Sequence, residues 1–136
     1  MRIELSELRK TIDRAVGYCD QDRVEAIPGI KLVERRNFNK DSYSHHGCEW
    51  YVCRELGIRL QPHFDLNRLL EGWREVKEPR KGDLVLYLED NHPKHWGIYD
   101  GSGKVRSKWG AGHIFKHDLA AVMSQYGNHV IFYRKS

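Results

Sequence analysis

Apolar residues at the start of the chain recur at helical spacing: Leu5, Leu8, Ile12, Ala15 and Val16. That period predicts an amphipathic helix over residues 4–17, with Gly17 as its stop. Residues 18–44 carry no sustained period; Pro28-Gly29 marks a turn and 37–44 reads as a polar connection. A second helix is predicted from about His46 to Leu56. Cys48, Tyr51, Val52 and Leu56 share one of its faces, and Gly57 suits a left-handed C-terminal cap. Asp65 then reads as the N-cap of a short helix over Leu66, Leu69 and Leu70 that ends near Gly72, and 79–82 as a turn.

From Asp83 the texture changes from helical to strand-like. Leu84-Val85-Leu86-Tyr87-Leu88 is apolar on both faces, as a central strand must be. A turn at 90–93 leads to a strand over 95–99, in which His95, Gly97 and Tyr99 face one way and Trp96 and Ile98 the other. Asp100-Gly101-Ser102-Gly103 predicts a tight turn into a strand at 105–108. Ile114-Phe115 is a further short strand, 119–123 a helical turn and 130–134 a closing strand. Helices followed by an antiparallel meander predict an α+β fold. Its core is expected to hold Leu84, Val85, Leu86, Trp96, Ile98, Val105 and Ile131, with the Cys48 helix packed on the sheet.

Composition narrows the classes. At 136 residues the chain is expected to be one domain over 1–136, with residues 1–43 as a helix and irregular extension and 44–136 as the working core. No apolar run approaches the roughly 20 residues of a membrane helix, so no membrane segment is expected. The charged N-terminus, Met1-Arg2-Ile3-Glu4-Leu5, is unlike a secretory signal, which makes the cytoplasm the default location, although export by a signal-independent route would leave no trace in the sequence. A net charge of +4 could suit an anionic partner. The basic residues are scattered, however, and no nucleic-acid motif accompanies them. The three cysteines, Cys19, Cys48 and Cys53, are odd in number and irregularly spaced, which is not a disulfide framework. Cys48 and Cys53 lie about 140° apart around a helix, so they point in different directions.

The candidate chemistry is a thiol. Cys48 follows Gly47 in the first turn of its helix, where unsatisfied backbone N–H groups and the helix dipole favour thiolate and could hold an oxyanion. Cys53, in mid-helix, has neither advantage, and an ordinary core cysteine remains the alternative reading of both. His95 opens a strand beside Gly97, whose missing side chain leaves a gap for another backbone or a substrate. A thiol and an imidazole that meet in the fold are the two parts of a cysteine nucleophile and its base.

The motifs His95-Trp96-Gly97-Ile98-Tyr99, the Asp100-Gly101-Ser102-Gly103-Lys104-Val105 turn and Gly82-Asp83-Leu84-Val85 resemble those of the NlpC-like cysteine peptidase superfamily. Cys48-Glu49-Trp50-Tyr51-Val52, followed by Leu56-Gly57-Ile58, is similar to its nucleophile helix. Similar motifs occur in the lecithin retinol acyltransferase group in permuted order, His first; here Cys comes first. Ser107-Lys108-Trp109-Gly110, with His117 and Tyr126-Gly127, resembles a bacterial branch of the same superfamily. Together these resemblances cover about residues 44–134.

The resemblance implies a papain-like fold and a cofactor-free hydrolase or acyl transferase acting on an amide or ester. The partner would be a cell-wall peptide, a protein side-chain amide or an acyl lipid. Cys48 would be the nucleophile and His95 the base. Trp50, Trp96, Lys108, Trp109 and His113 would contact substrate. The residue that orients the catalytic imidazole would fall twelve positions after His95, at Ser107, where the superfamily carries His, Asn or Gln. A neutral hydroxyl orients weakly, which makes His117, ahead of His113, the expected helper beside Ser107 in the catalytic set. Ser107 also opens the alternative of an inactive binding or toxin-accessory domain. A small zinc site is a third reading, from His45-x-x-Cys48, His92-x-x-His95 and His113-x-x-x-His117.

Overall fold

The computed structural model describes residues 5–17, 22–36, 47–58, 70–109, 113–127 and 129–135. Helices α1 (Leu5–Gly17) and α2 (Asp22–Glu25) precede strand β1 (Lys31–Glu34) and helix α3 (Cys48–Leu56). Then come β2 (Trp73–Val76), β3 (Leu84–Glu89), β4 (His92–Gly101), β5 (Lys104–Lys108), β6 (Ile114–Asp118), a 3-10 turn at Ser124–Tyr126 and β7 (His129–Lys135). The fold is α+β. Cys19, His45 and the predicted helix after Asp65 lie outside the described residues.

The seven strands among the described residues form one sheet in the order β1-β6-β5-β4-β3-β7-β2, antiparallel throughout. β3, apolar from Leu84 to Leu88, lies near its centre, between β4 and β7. Asp90 (φ 50°) and Asn91 (φ 63°) supply the two left-handed residues of the β3–β4 hairpin, so the turn is shorter than the sequence suggests and β4 begins at His92. Two strands were not visible in the sequence. β1 and β2 are four residues each and sit at the two ends of the sheet, where a strand needs few apolar residues. The helical turn expected at 119–123 falls instead at Ser124–Tyr126.

The sheet has two covered faces. On one, α3 packs Tyr51 and Val52 against Leu84, Leu86, Trp96, Ile98 and Ile114. On the other, Val85, Tyr87, Val105, Trp109 and Phe115 meet Ile12 of α1, Val24 of α2 and the 121–126 segment. The expected core is found here, with Ile131 half-buried rather than buried. Burial of this kind is substantial; truncating a side chain such as Trp96 to alanine costs about 3–5 kcal/mol.

Local signals position α3. It ends as a Schellman motif, in which the Gly57 N–H donates to Arg54 O (3.3 Å) and the Ile58 N–H to Cys53 O (2.8 Å), with Gly57 at φ 70°. Glu34 of β1 accepts from Arg54 at both carboxylate oxygens (3.1 Å each) and from Arg36 (2.6 Å), which ties the helix to the edge of the sheet. The Arg54 hydrogen bond holds the Glu34 carboxyl below its ordinary range; burial opposes this and Arg36 adds to it.

Candidate functional site

Cys48 occupies the first position of α3, with Gly47 as the cap, as the sequence predicts. The residue is half-buried. Its thiol lies on the α3 side of the sheet, packed with the Trp96 cluster and hydrogen-bonded by the Trp96 backbone. Burial pushes the thiol pKa far up, and the Glu49 charge adds to that rise; the Trp96 bond lowers it by less. Cys53 is also buried, and burial raises its thiol pKa. The N-terminal location is therefore present, but the protonated thiol is the favoured form.

His95 lies on the other face. It pairs with Tyr87 across β3–β4, stacks on Tyr126 (ring centroids 3.8 Å apart, planes 1° off parallel) and is 1 % exposed. Its neighbour Trp96 pairs with Leu86 and meets α3. Successive residues of a strand point to opposite sides, so Trp96 occupies the helix face that His95 would need. The sheet thus separates Cys48 from His95, contrary to the expected Cys–His contact. Burial, then the nearby His117, holds the His95 pKa well below its ordinary value. Its Nε2 has no hydrogen-bond partner among the described residues.

Ser107 and His117 share the His95 face but pair with each other. The His117 Nδ1 faces the Asp118 carbonyl (2.8 Å), so that nitrogen carries the proton. Nε2 then accepts from the Ser107 hydroxyl (2.7 Å), and Ser107 Oγ accepts from Trp109 Nε1–H (3.1 Å). Every proton in this chain is committed, and Ser107 serves His117 rather than His95. A Ser–His contact of this kind could activate a hydroxyl nucleophile, but both residues are fully buried and no acyl carbonyl can reach them. Burial lowers the His117 pKa to about 4.

The expected gap beside His95 is filled. A Cβ on Gly97 would stand 2.6 Å from Val105 Cγ1 and 3.2 Å from Ser107 Cβ, so the glycine admits neighbouring side chains of β5, not a substrate. The residues expected to touch substrate also have structural work. Trp96 and Trp109 are core on opposite faces, and Lys108 is fully buried with Nζ 6.0 Å from the Trp50 ring centroid. Trp50 is flanked by Arg36 (4.7 Å) and Arg54 (5.0 Å). His113 Nδ1 accepts from the Arg36 backbone N–H (2.9 Å), which commits it away from His95.

Among the described residues, no group of three His, Cys, Asp or Glu is placed to hold a metal ion. The His113–His117 spacing is spent on the hydrogen bonds above, and His92 is exposed while His95 is buried. Among the described residues no helix is long and apolar enough to cross a membrane. Sequence reasoning missed Tyr87 as a close neighbour of His95, and missed the Asp83–Arg134 pair. Asp83 is buried and accepts from Arg134 Nε (3.0 Å) and Nη2 (2.7 Å) and from the Arg80 N–H (2.7 Å). An acid immediately before an apolar strand, with arginines at 80 and 134, was the available signal.

A family model described as a domain of unknown function (DUF7689) matches residues 68–134. No curated protein and no solved structure matches the chain. The matched stretch takes in β2 to β6 and nearly all of β7, and so contains His95, Ser107 and His117, while Cys48 and α3 precede it. The chain is similar to this family over residues 68–134, which hold the sheet apart from β1.

Proposed function

We propose that this chain is a non-catalytic domain of NlpC-like, papain-like type that recognises a peptide or protein segment without cleaving it. The observation that carries this reading is the separation of Cys48 from His95 by the sheet. A thiol with a raised pKa and an imidazole with a lowered one, on opposite faces, form neither an ion pair nor a proton-transfer pair. Ser107 and His117 add no substitute base, because their hydrogen bonds are internally satisfied. A reducing, cytoplasmic location fits the free thiols of Cys48 and Cys53.

One observation favours the second reading, a cysteine hydrolase or acyl transferase: Cys48 does begin a helix packed on the sheet, as in the nucleophile helix that the sequence resembles. That reading needs a base on the Cys48 side of the sheet. The two are separated by assaying the wild type and Cys48→Ala on peptidoglycan peptides, acyl esters and glutaminyl proteins. The expected result is no turnover that depends on Cys48. Turnover that falls by a factor of about 100 or more in Cys48→Ala, the scale of loss when a nucleophile is removed, would overturn the non-catalytic reading.

A further inference from the structure

We propose that the cleft beyond the C-terminal end of α3 is a docking site for an acidic peptide segment carrying one apolar anchor residue. The proposal deepens the binding reading above and rests on it. The cleft has a volume of about 370 Å³, within the range of small ligand sites. Leu56, Ile58 and Trp73 give it an apolar floor continuous with the α3-side core, against which Leu56 and Trp73 pack. Arg80, Lys81 and Lys135, all exposed, form the rim.

Charge selects the occupant. The one carboxylate lining the cleft, Asp83, is taken by Arg134 through two hydrogen bonds. That pair cancels and leaves the three rim cations without a matching acid in the lining. Among the described residues, neither Lys81 nor Lys135 is within ion-pair distance of a carboxylate, although Lys81 is one of the charges that lower the Asp100 pKa. An apolar floor below a cationic rim fits a hydrophobic side chain flanked by carboxylates: the anchor is desolvated and the acids remain at the partly solvated edge. Three clustered cations are a short match for a polynucleotide, which needs a longer track of phosphate contacts and offers no apolar anchor. β2, which carries Trp73, is the outermost of the described strands on that side, so the cleft lies at the edge of the described sheet, where an extended segment can lie.

The test uses fluorescence anisotropy on the full chain with a labelled peptide of four acidic residues around one Phe. Three comparison probes are the same peptide with Phe→Ser, one with its acids replaced by lysine, and a single-stranded oligonucleotide of equal charge. The protein is tested as wild type and as Lys81→Glu/Lys135→Glu, two exposed changes whose folding is checked by circular dichroism. The Phe-containing acidic peptide is expected to bind, and to weaken about tenfold or more on loss of Phe, on the double charge reversal, or on raising the salt to about 0.5 M. Equal binding by the Phe→Ser peptide, an unchanged affinity in the double variant, stronger binding of the oligonucleotide, or no binding up to about 1 mM would each overturn it. Failure here is distinct from failure of the non-catalytic reading, which is decided by turnover in Cys48→Ala and not by peptide affinity.

Discussion

Gly127→Ala is expected to be the most damaging single-methyl change in the described chain. Gly127 stands at φ 89°, ψ 178°, a region of backbone space that is essentially reserved for glycine. A Cβ there would lie 2.2 Å from the Leu88 carbonyl oxygen and 2.6 Å from its carbon. Neither atom can rotate away, because Leu88 is fixed in β3 by its pairing with His129 of β7. Backbone strain and overpacking each cost about 1–3 kcal/mol, so the sum is about 2–6 kcal/mol, a large share of a typical domain's stability. The change also moves Tyr126, the ring on which His95 stacks. Thermal unfolding should fall by about 10 °C or more. Gly103→Ala is the control: φ is 76° there, but nothing lies within 4 Å of the added methyl, so only the backbone cost of about 1 kcal/mol applies. Melting of Gly127→Ala within about 2 °C of the wild type would contradict the fit of this turn against β3.

The second large effect is acid destabilisation through two of the buried imidazoles, His117 and His95. The folded state holds the His117 pKa near 4, because burial disfavours the charged ring more than the Asp118 carbonyl and charge support it. In the unfolded chain the same group titrates near 6.5. The folded-state value is depressed, so this histidine has no effect above about pH 6.5. As the pH falls from 6.5 to 4 the unfolded state alone takes up the proton, and stability declines by up to about 1.4 kcal/mol per pH unit. The total for His117 is on the order of 3 kcal/mol. His95 acts in the same direction, for the same reason of burial. Asp83 and Asp100, whose pKa values the fold lowers, weaken the protein in a lower window, as the pH falls through the carboxylate range. Urea unfolding at pH 7 and pH 4.5 should show a marked loss for the wild type and a smaller one for His117→Gln, whose amide can keep a bond to Ser107. Equal losses in both proteins would contradict the assignment to His117.

Much of the architecture was legible, and the boundary of legibility has a physical cause. β3 to β7 were readable because their apolar residues must satisfy two covered faces, which leaves a strong imprint on Leu84–Leu88 and on the alternation of His95 to Tyr99. β1 and β2 were not readable, because an outer strand of four residues carries almost no such imprint. The strand period correctly put His95 and Gly97 on one side and Trp96 and Ile98 on the other. It could not say which side α3 would choose. Only the fold shows that α3 lies on the side of Trp96 and Ile98, where Tyr51 and Val52 also meet Leu84 and Leu86. Ser107 and His117 were expected to orient His95; they lie on its face of the sheet, but Ser107 bonds His117 instead. The partner of the Ser107 hydroxyl was not legible, since Val105↔His117 register brings His117 beside it only once β5 and β6 are paired.

The central claim is that Cys48 and His95 are not a couple. Its most direct test is the rate of alkylation of Cys48 by iodoacetamide from pH 5 to 10, read by peptide mapping so that Cys19 and Cys53 are counted separately, in the wild type and in His95→Gln. A separated, buried thiol predicts a rate that stays low through neutral pH, rises only in the alkaline range, and follows the same curve in both proteins. A plateau below about pH 7 in the wild type that disappears in His95→Gln would reveal a thiolate–imidazolium pair and contradict the account.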